Sequence, residues 1–291
     1  MMIFVALGGM TVGFGAQAQM SMSSFFHISS LSAYMSGTGG AGIFGSLYYS
    51  GLTFYLKPDT VILVSMIFPV IGLLSYFFLL TKPRIRQFSW NFLVFSDEIQ
   101  DSSETDGLIN TNENSGILTT KEKFDAFKSI FWIMVNIFLV YMFEYLINQT
   151  FFEVTYFKDT FLTYDQQYRW YQTLYQTGVF IGRTTISIFF VNQIWIFSIL
   201  QGINACLFVI QIFYHATNQI WLVFLLILYE GTIGGLAYSN SFRKVSNKAP
   251  VRIREFAMCI CTLGDSGGIL IAGILSLPIH KAICDWIQHN N

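Results

Sequence analysis

Four ionisable side chains interrupt the long apolar stretches of this chain and are the residues best suited to chemistry: Glu144, Arg183, Glu230 and Asp265. A charge surrounded by hydrocarbon costs roughly 3 kcal/mol or more, so such a side chain faces a solvated interior, pairs with another charge or sits at a wet helix end. Three acids and one base around one interior could bind a zwitterion or an organic cation, or relay protons. We therefore predict that they line or gate a substrate and proton pathway.

Three neutral amides lie in the same kind of apolar stretch and are predicted to share this pathway: Gln176, Gln201 and Asn204. Each charged residue also has a simpler interpretation. Glu144 lies about one turn from the end of its stretch and could be wet, while Arg183 could extend its charge to the membrane interface. Glu230 precedes a glycine and could be a packing acid, and Asp265, among small residues, needs a partner or a cavity.

Catalytic and metal-binding chemistry is poorly supported by the sequence, which contains no HExxH motif and no clustered set of His, Cys and Asp residues. Cys259 and Cys261 are separated by one residue, which is the wrong spacing for a CxxC redox pair. We therefore predict that the protein is not an enzyme and has no metal site and no cofactor. The formal net charge of −1 gives no reason to expect nucleic acid as a partner.

The composition indicates a membrane protein. Hydrophobic residues make up 53% of the chain and charged residues 11%, whereas soluble domains are nearer a quarter charged. The mean hydropathy is +0.52. Thirty Phe, fifteen Tyr and six Trp residues suit lipid-facing surfaces and the aromatic belts at the membrane interfaces. The predicted fold class is an all-α polytopic membrane protein whose partners include membrane lipids.

Eight apolar segments are long enough to cross a bilayer as helices: residues 1–20, 29–52, 60–80, 129–149, 168–190, 194–214, 219–239 and 257–277. Proline disfavours helix continuation, so Pro278 is expected to end the last of these spans.

A long polar segment divides the spans into two groups. We predict a partial N-terminal bundle over residues 1–81, a largely disordered cytosolic linker over 82–128, a C-terminal bundle over 129–278 and a short tail over 279–291. Two bundles joined in this way are typical of major-facilitator-like transporters, whose substrate site lies near the membrane midplane between the halves.

Small residues recur every four positions in the second span, at Ala33, Gly37, Ala41 and Gly45. On a helix they form one smooth stripe, where another backbone can approach closely. The stripe is therefore predicted to be a packing face.

The linker is predicted to be cytosolic because basic residues flank both spans that border it. Its centre is acidic and polar without a sustained period, which is typical of disorder. Within it, Glu104, Leu108 and Ile109 match an acidic dileucine pattern, an acid four residues before a Leu-Ile pair. Clathrin-adaptor-type sorting machinery reads such patterns, although acidic linkers also match them by chance.

Membrane orientation follows from the linker. Residues 150–167 are then lumenal, and Asn148, in the sequon Asn-Gln-Thr, is a possible glycosylation site close to the membrane. Counting crossings backwards places Met1 in the lumen. An uncharged start there suggests that an odd number of preceding helices is missing. A secretory signal peptide is the alternative interpretation, although the usual positive charges are missing from the start.

Several sequence blocks are specific enough to suggest a family: SGTGGAG (36–42), EYLINQ (144–149), QQYRWYQTLYQ with GVF (166–180), YEG with GG (229–235), REFAM (254–258) and GDSGG (264–268). They resemble the battenin family of lysosomal membrane proteins, which is similar to major-facilitator and equilibrative nucleoside transporters. The resemblance implies a multi-pass protein of the late endosomal or lysosomal membrane. It also implies roles in lumenal pH homeostasis, basic amino-acid transport and glycerophosphodiester clearance.

The expected function is therefore that of a lysosomal membrane transporter for a small polar metabolite. The alternative is a non-transporting membrane scaffold, in which the linker recruits trafficking machinery and the bundle serves as its anchor. One departure from the family is that seven residues follow Cys284, so the prenylation-type cysteine box with which members often end is not seen here.

Overall fold

The computed structural model describes residues 2–53, 55–79 and 118–290, and their secondary structure is helical. In chain order the helices are α1 (Met2–Ser23), α2 (Ile28–Leu52), α3 (Pro58–Ser65), α4 (Ile67–Leu74), α5 (Thr120–Leu146), α6 (Phe152–Val154), α7 (Tyr164–Thr185), α8 (Trp195–Tyr214), α9 (Ile220–Lys248) and α10 (Val251–Asn290). Two five-residue π-helical segments, Ser75–Leu79 and Ile147–Phe151, extend α4 and join α5 to α6. The all-α prediction is confirmed.

Five helical segments among the described residues are long and apolar enough to cross a membrane: Pro58–Phe78, Thr120–Val154, Trp195–Tyr214, Ile220–Lys248 and Val251–His289. Helices α1, α2 and α7 were also predicted to span, and for them crossing stays a prediction. The coarse prediction of a multi-pass helical membrane protein therefore stands, while the span count of eight remains an expectation.

Backbone-to-backbone contact through glycine joins α7 to α9. A Cβ at Gly178 or Gly182 of α7 would lie 2.8 or 2.7 Å from the backbone nitrogens of Thr232 and Leu236. The contact is reciprocal, because a Cβ at Gly235 of α9 would lie 3.0 Å from a backbone nitrogen of α7. Both helices therefore carry a small-xxx-small motif at their shared face, which is the usual device for close helix packing in membranes.

Helices α5 and α10 pack by the same device. A Cβ at Gly264 would lie 2.9 Å from the carbonyl oxygen of Met134, and one at Gly268 would lie 2.9 Å from the nitrogen of Met142. Helix α8 then fills the space beside α5 and α9. These five helices, α5 and α7 to α10, make the core that positions the ionisable residues.

The N-terminal helices attach to this core separately. Helix α2 packs along α7 and α1 along α10, and both contacts are more extensive than that between α1 and α2. The face of α2 that does the packing includes Leu31, Met35 and Gly39, with a Cβ at Gly39 placed 2.9 Å from Cα of Phe180.

The prediction that the four-residue stripe of α2 is a packing face is wrong. Ala33, Gly37, Ala41 and Gly45 are all exposed. A Cβ at Gly37 or Gly45 would meet nothing within 4 Å among the described residues. A stripe at four-residue spacing shows which residues share a face but not which face is covered, and the covered face, with Leu31, Met35 and Gly39, lies two positions out of register with the stripe.

Helix α5 begins earlier than the apolar pattern indicates. Thr119 caps it in a capping box with Glu122, and Arg252 of α10 binds the same carboxylate with Nε 2.9 Å from Oε1. Residues 120–128 were assigned to the disordered linker, and that assignment is wrong because the cap and the ion pair hold them in the helix.

Helix α10 continues through Pro278 to Asn290, so the expectation that this proline ends the span is also wrong. Proline inside a helix removes one backbone hydrogen bond but does not prevent continuation when packing supports both sides. Ile283 beyond it is 4% exposed within the core of the bundle. The proposed sorting residues Glu104, Leu108 and Ile109 lie outside the described residues.

Substitution of Gly182 tests the α7–α9 contact. In Gly182→Ala the new methyl group meets backbone atoms, which cannot move aside as a side chain can, so we expect a loss of about 1–3 kcal/mol in unfolding free energy. Thermal unfolding in detergent should show a lower midpoint. Gly45→Ala is the matched control, since its methyl group points away from the described residues. An unchanged midpoint in Gly182→Ala would contradict the close contact.

Candidate functional site

Glu144 is buried at the C-terminal end of α5, where its side chain is 1% exposed. Its Oε1 accepts a hydrogen bond from the Tyr175 hydroxyl of α7. The carboxylate lies against α9 at Gly234, where an added Cβ would be 2.6 Å from Glu144 Cδ. Glycine at 234 therefore leaves the space that the carboxylate occupies.

Glu230 lies on α9, one turn before Gly234, and is 0% exposed. Its Oε1 accepts hydrogen bonds from Gln201 Nε2 of α8 at 3.1 Å and from Asn148 Nδ2 at 3.4 Å. Asn204 Nδ2 donates in turn to Gln201 Oε1 at 3.3 Å. Side-chain amides thus solvate this acid in place of water, as a buried carboxylate requires.

Asn148 links the Glu230 carboxylate to the backbone of Glu144. It sits in the π-helical segment that follows α5, four residues after Glu144, and Nδ2 donates to the Glu144 carbonyl at 2.9 Å as well as to Glu230. π-Helical turns shift the register of the following side chains and are frequent at functional sites. We call the six residues connected in this way the inner acid network: Glu144, Asn148, Tyr175, Gln201, Asn204 and Glu230.

This position of Asn148 bears on the predicted glycosylation. The side chain is 7% exposed and its amide is engaged inside the bundle. A glycan acceptor has to be reached from the surface, so the structure argues against glycosylation at Asn148.

Several oxygens of the inner acid network are without hydrogen-bond partners among the described residues: Glu144 Oε2, Asn148 Oδ1, Asn204 Oδ1 and Glu230 Oε2. All four are acceptors. Leaving a buried acceptor unsatisfied costs about 1–3 kcal/mol, more for a charged group. The network is therefore rich in unused acceptors and short of donors.

Arg183 of α7 forms a second cluster beside the first. One guanidinium nitrogen donates to Thr38 Oγ1 of α2 at 2.7 Å, and the other lies 3.4 Å from the Tyr141 hydroxyl. The guanidinium carbon is 4.3 Å from the ring centroid of Tyr238, a cation–π contact. Its Nε has no hydrogen-bond partner within the described part of the chain.

Asp265 of α10 belongs to the same surroundings. It interacts electrostatically with Arg183, and both in turn interact with Glu144. Asp265 Oδ1 is buried and unpartnered among the described residues. We call Thr38, Tyr141, Arg183, Tyr238 and Asp265 the arginine cluster. Arg183 is therefore drawn inward to hydroxyl groups and an aromatic ring, rather than extended to the membrane interface.

The predicted pathway residues thus divide into three sets. Glu144, Gln201, Asn204 and Glu230 are brought together in the inner acid network, and Arg183 and Asp265 lie in the neighbouring cluster. Gln176 does not join either, because its side chain packs onto Gly42 of α2.

Sequence reasoning missed the hydroxyl and amide partners: Thr38, Tyr141, Asn148, Tyr175 and Tyr238. One signal was available for Asn148, which follows Glu144 by four residues and so shares its helix face. The tyrosines gave no such signal, since aromatic residues are common throughout the apolar stretches.

Two cavities lie between α2 and α7, with volumes of about 470 and 160 Å³. The larger is lined by apolar side chains such as Phe44 and Phe180, and the smaller by residues that include Gln166 and Arg169. Both are lined by residues outside the inner acid network, whose two acids are themselves closed from solvent, at 1% and 0% exposure.

Buried acids, amides and an arginine held among hydrocarbon-length helices define a polytopic helical membrane protein with an ionisable interior. A family model described as "CLN3 protein" matches residues 1–286. The chain therefore belongs to the CLN3 protein family, and the resemblance to battenin is confirmed.

Individual relatives agree with this assignment. Battenin of the dog, Canis lupus familiaris, is 37% identical over 287 residues, which cover 96% of this chain and 64% of the dog protein. Protein BTN1 of Yarrowia lipolytica is 33% identical and that of Saccharomyces cerevisiae 29% identical, with 98% and 96% of this chain covered and 73% of each relative. The chain thus spans somewhat under two-thirds of the length of dog battenin. A comparison with solved structures finds no match.

The packing of the Glu144 carboxylate against α9 can be tested with a double-mutant cycle. Gly234→Ala places a methyl group where the Glu144 carboxylate lies, so we expect it to lower the unfolding free energy by about 1–3 kcal/mol. In a Glu144→Ala background the same change should cost much less, because the clashing group is gone. Thermal or denaturant unfolding in detergent measures both steps.

Gly202→Ala is the control for this cycle, since its Cβ would make ordinary contact with the Phe143 ring at 3.5 Å. Equal costs for Gly234→Ala in both backgrounds would show that the carboxylate does not occupy this position.

Proposed function

We propose that the chain acts as a transporter of small polar metabolites in the late endosomal or lysosomal membrane, as part of a major-facilitator-like two-bundle protein. The observation that carries the proposal is the burial of Glu144 and Glu230 at 1% and 0% exposure among apolar helices. Charged residues at membrane depth cost free energy and mark substrate or ion pathways by default.

The two clusters offer binding groups of opposite sign. Arg183 would attract a carboxylate or phosphate through its unpartnered Nε, and the acids would attract a cationic group or protons. Export of basic amino acids or of glycerophosphodiesters, with an effect on lumenal pH, fits this combination. Relatives named battenin and BTN1 support membership of one family, and the activity itself is our proposal.

Coupling to an ion would operate through the inner acid network. Glu144 and Glu230 interact electrostatically and repel each other when both are ionised. Binding a positive charge removes that repulsion and stabilises the closed packing of α5, α8 and α9. Release of the bound positive charge favours separation of these helices. Occupancy of the inner acid network by a cation or proton is thereby linked to an opening motion.

The transport proposal is tested in vesicles that contain the full-length protein. Isotope-labelled arginine and labelled glycerophosphodiesters are measured separately for wild type, Glu144→Gln, Glu230→Gln and Asp265→Asn at matched expression. We expect each variant to lower the flux of the transported compound by about tenfold or more, or ~1.4 kcal/mol in the barrier. Asp125→Asn, an exposed acid on the same helix as Glu144, is the control and should retain flux.

The same variants expressed in cells separate transport from a scaffold function, the alternative suggested by the acidic dileucine pattern of the linker. A scaffold would tolerate the acid variants and would lose its location when Leu108 and Ile109 are changed to Ala. A transporter should show the reverse for flux, with the acid variants still reaching the lysosome. Wild-type flux in all the acid variants would refute the proposed pathway.

A further inference from the structure

The inner acid network contains more acceptors than its own donors can satisfy. Tyr175 donates to one oxygen of Glu144, and Gln201 and Asn148 donate to one oxygen of Glu230. The second oxygen of each acid remains without a hydrogen-bond partner among the described residues. Both side chains are buried, so water in bulk does not reach them.

Two side-chain amides add oxygens of the same kind. Asn148 Oδ1 and Asn204 Oδ1 also lack partners among the residues described here, and their side chains are 7% and 0% exposed. The amide nitrogen of Asn148 is committed to the Glu144 carbonyl and to Glu230, so its unpartnered oxygen lies on a side chain that is already held next to Glu230. Both are uncharged, well-buried acceptors, so the unpartnered oxygens of the network are not limited to its two carboxylates.

The backbone provides a third feature. Helix α5 passes after Leu146 into a π-helical segment, Ile147–Phe151, which begins three residues after Glu144. π-Helical turns inside a helix shift the register of the side chains and are frequent at functional sites.

From these observations we propose that the inner acid network binds a monovalent metal cation, with Na⁺ as the best-suited ion, between Glu144, Asn148 and Glu230, with Asn204 as a supporting oxygen. The atoms that would coordinate the ion are all oxygens. Oxygen ligands suit hard cations, whereas zinc prefers sulfur and nitrogen. The bound charge supplies what the network is missing, a positive partner for acceptors that have no donor.

The ion would also balance charge. The arginine cluster contains a base, Arg183, in electrostatic range of Asp265, whereas the inner acid network holds two carboxylates and no basic side chain. A cation there reduces the electrostatic repulsion between the two carboxylates. Burying both carboxylates in the ionised form without a cation would cost more free energy. The site deepens the proposed function by naming its coupling ion, although binding itself can be measured without transport.

The test uses the full-length purified protein in detergent at constant ionic strength and pH 7.5. Its thermal unfolding is recorded in 150 mM NaCl, KCl or choline chloride. A ligand that binds the folded state raises the midpoint by mass action, and we expect NaCl to raise it by about 3 °C or more relative to choline chloride. Equilibrium binding of ²²Na⁺ should give about one ion per chain.

Variants assign the ion to the site. Asn148→Ala and Glu230→Gln should abolish the difference between NaCl and choline chloride and should lower ²²Na⁺ binding by tenfold or more. Asn136→Ala is the matched control, because Asn136 is a buried asparagine on α5 that instead contacts Trp132 and Ser198. It should lower the midpoint in every salt and keep the NaCl-dependent rise.

Each result decides the matter. A rise with NaCl or KCl that Asn148→Ala and Glu230→Gln remove while Asn136→Ala keeps it supports the site. Equal midpoints in all three salts, or a rise that persists in either network variant, overturns it. Because no transport step enters this measurement, a negative result would leave the proposed function intact, and lost flux with normal ion binding would leave the site intact.

Discussion

The placement of two carboxylates in an interior that water does not reach is the constraint on which the arrangement of this bundle depends. Glu144 and Glu230 are 1% and 0% exposed. Each would destabilise the fold if it were left without polar contacts, because the cost of an unpaired buried charge exceeds the gain from a few apolar contacts. Helix α7 therefore contributes a hydroxyl group, α8 contributes amides, and the turn after α5 contributes the amide that links the Glu230 carboxylate to the backbone of Glu144.

Glycine makes this convergence possible. The backbones of α7 and α9 touch at Gly178, Gly182, Gly231 and Gly235, and the close approach carries Tyr175 to within reach of an acid on a different helix. Gly234, on the same face of α9, leaves room for the Glu144 carboxylate itself. The glycines that the sequence places beside Glu230 thus have two roles. Some bring helices together, and one provides space for a functional group.

The sequence was sufficient to predict the helical class and to single out the acids that the helices bury, since a charge inside an apolar stretch is conspicuous whatever its surroundings. It was insufficient for their partners. Tyr175 resembles any other aromatic residue of a membrane helix until the packing of α7 on α9 is known. Asn148 forms a sequon in the sequence and an amide bridge in the structure, because its surface accessibility depends on tertiary contacts.

Errors in the predicted elements have a similar physical origin. Proline and polar residues were taken to end helices at Pro278 and before Ser129, yet α10 passes the first and α5 begins at Thr120. Local propensity costs a few kcal/mol at most, and packing or a capping box with an ion pair outweighs it. The four-residue stripe of α2 failed for another reason. Periodicity identifies a face, whereas which face is covered depends on the partner helix.

Glu144 is the point at which the two clusters communicate. It interacts electrostatically with Arg183 and Asp265 on one side and with Glu230 on the other. Arg183 in turn is held by Thr38 of α2, a helix that attaches to the core mainly through α7. A shift of α2 would therefore move Arg183 and change the electrostatic potential at Glu144, and with it the affinity of the inner acid network for the cation that we propose. By the reciprocity of linked equilibria, binding a charge there would bias the position of α2 by the same free energy.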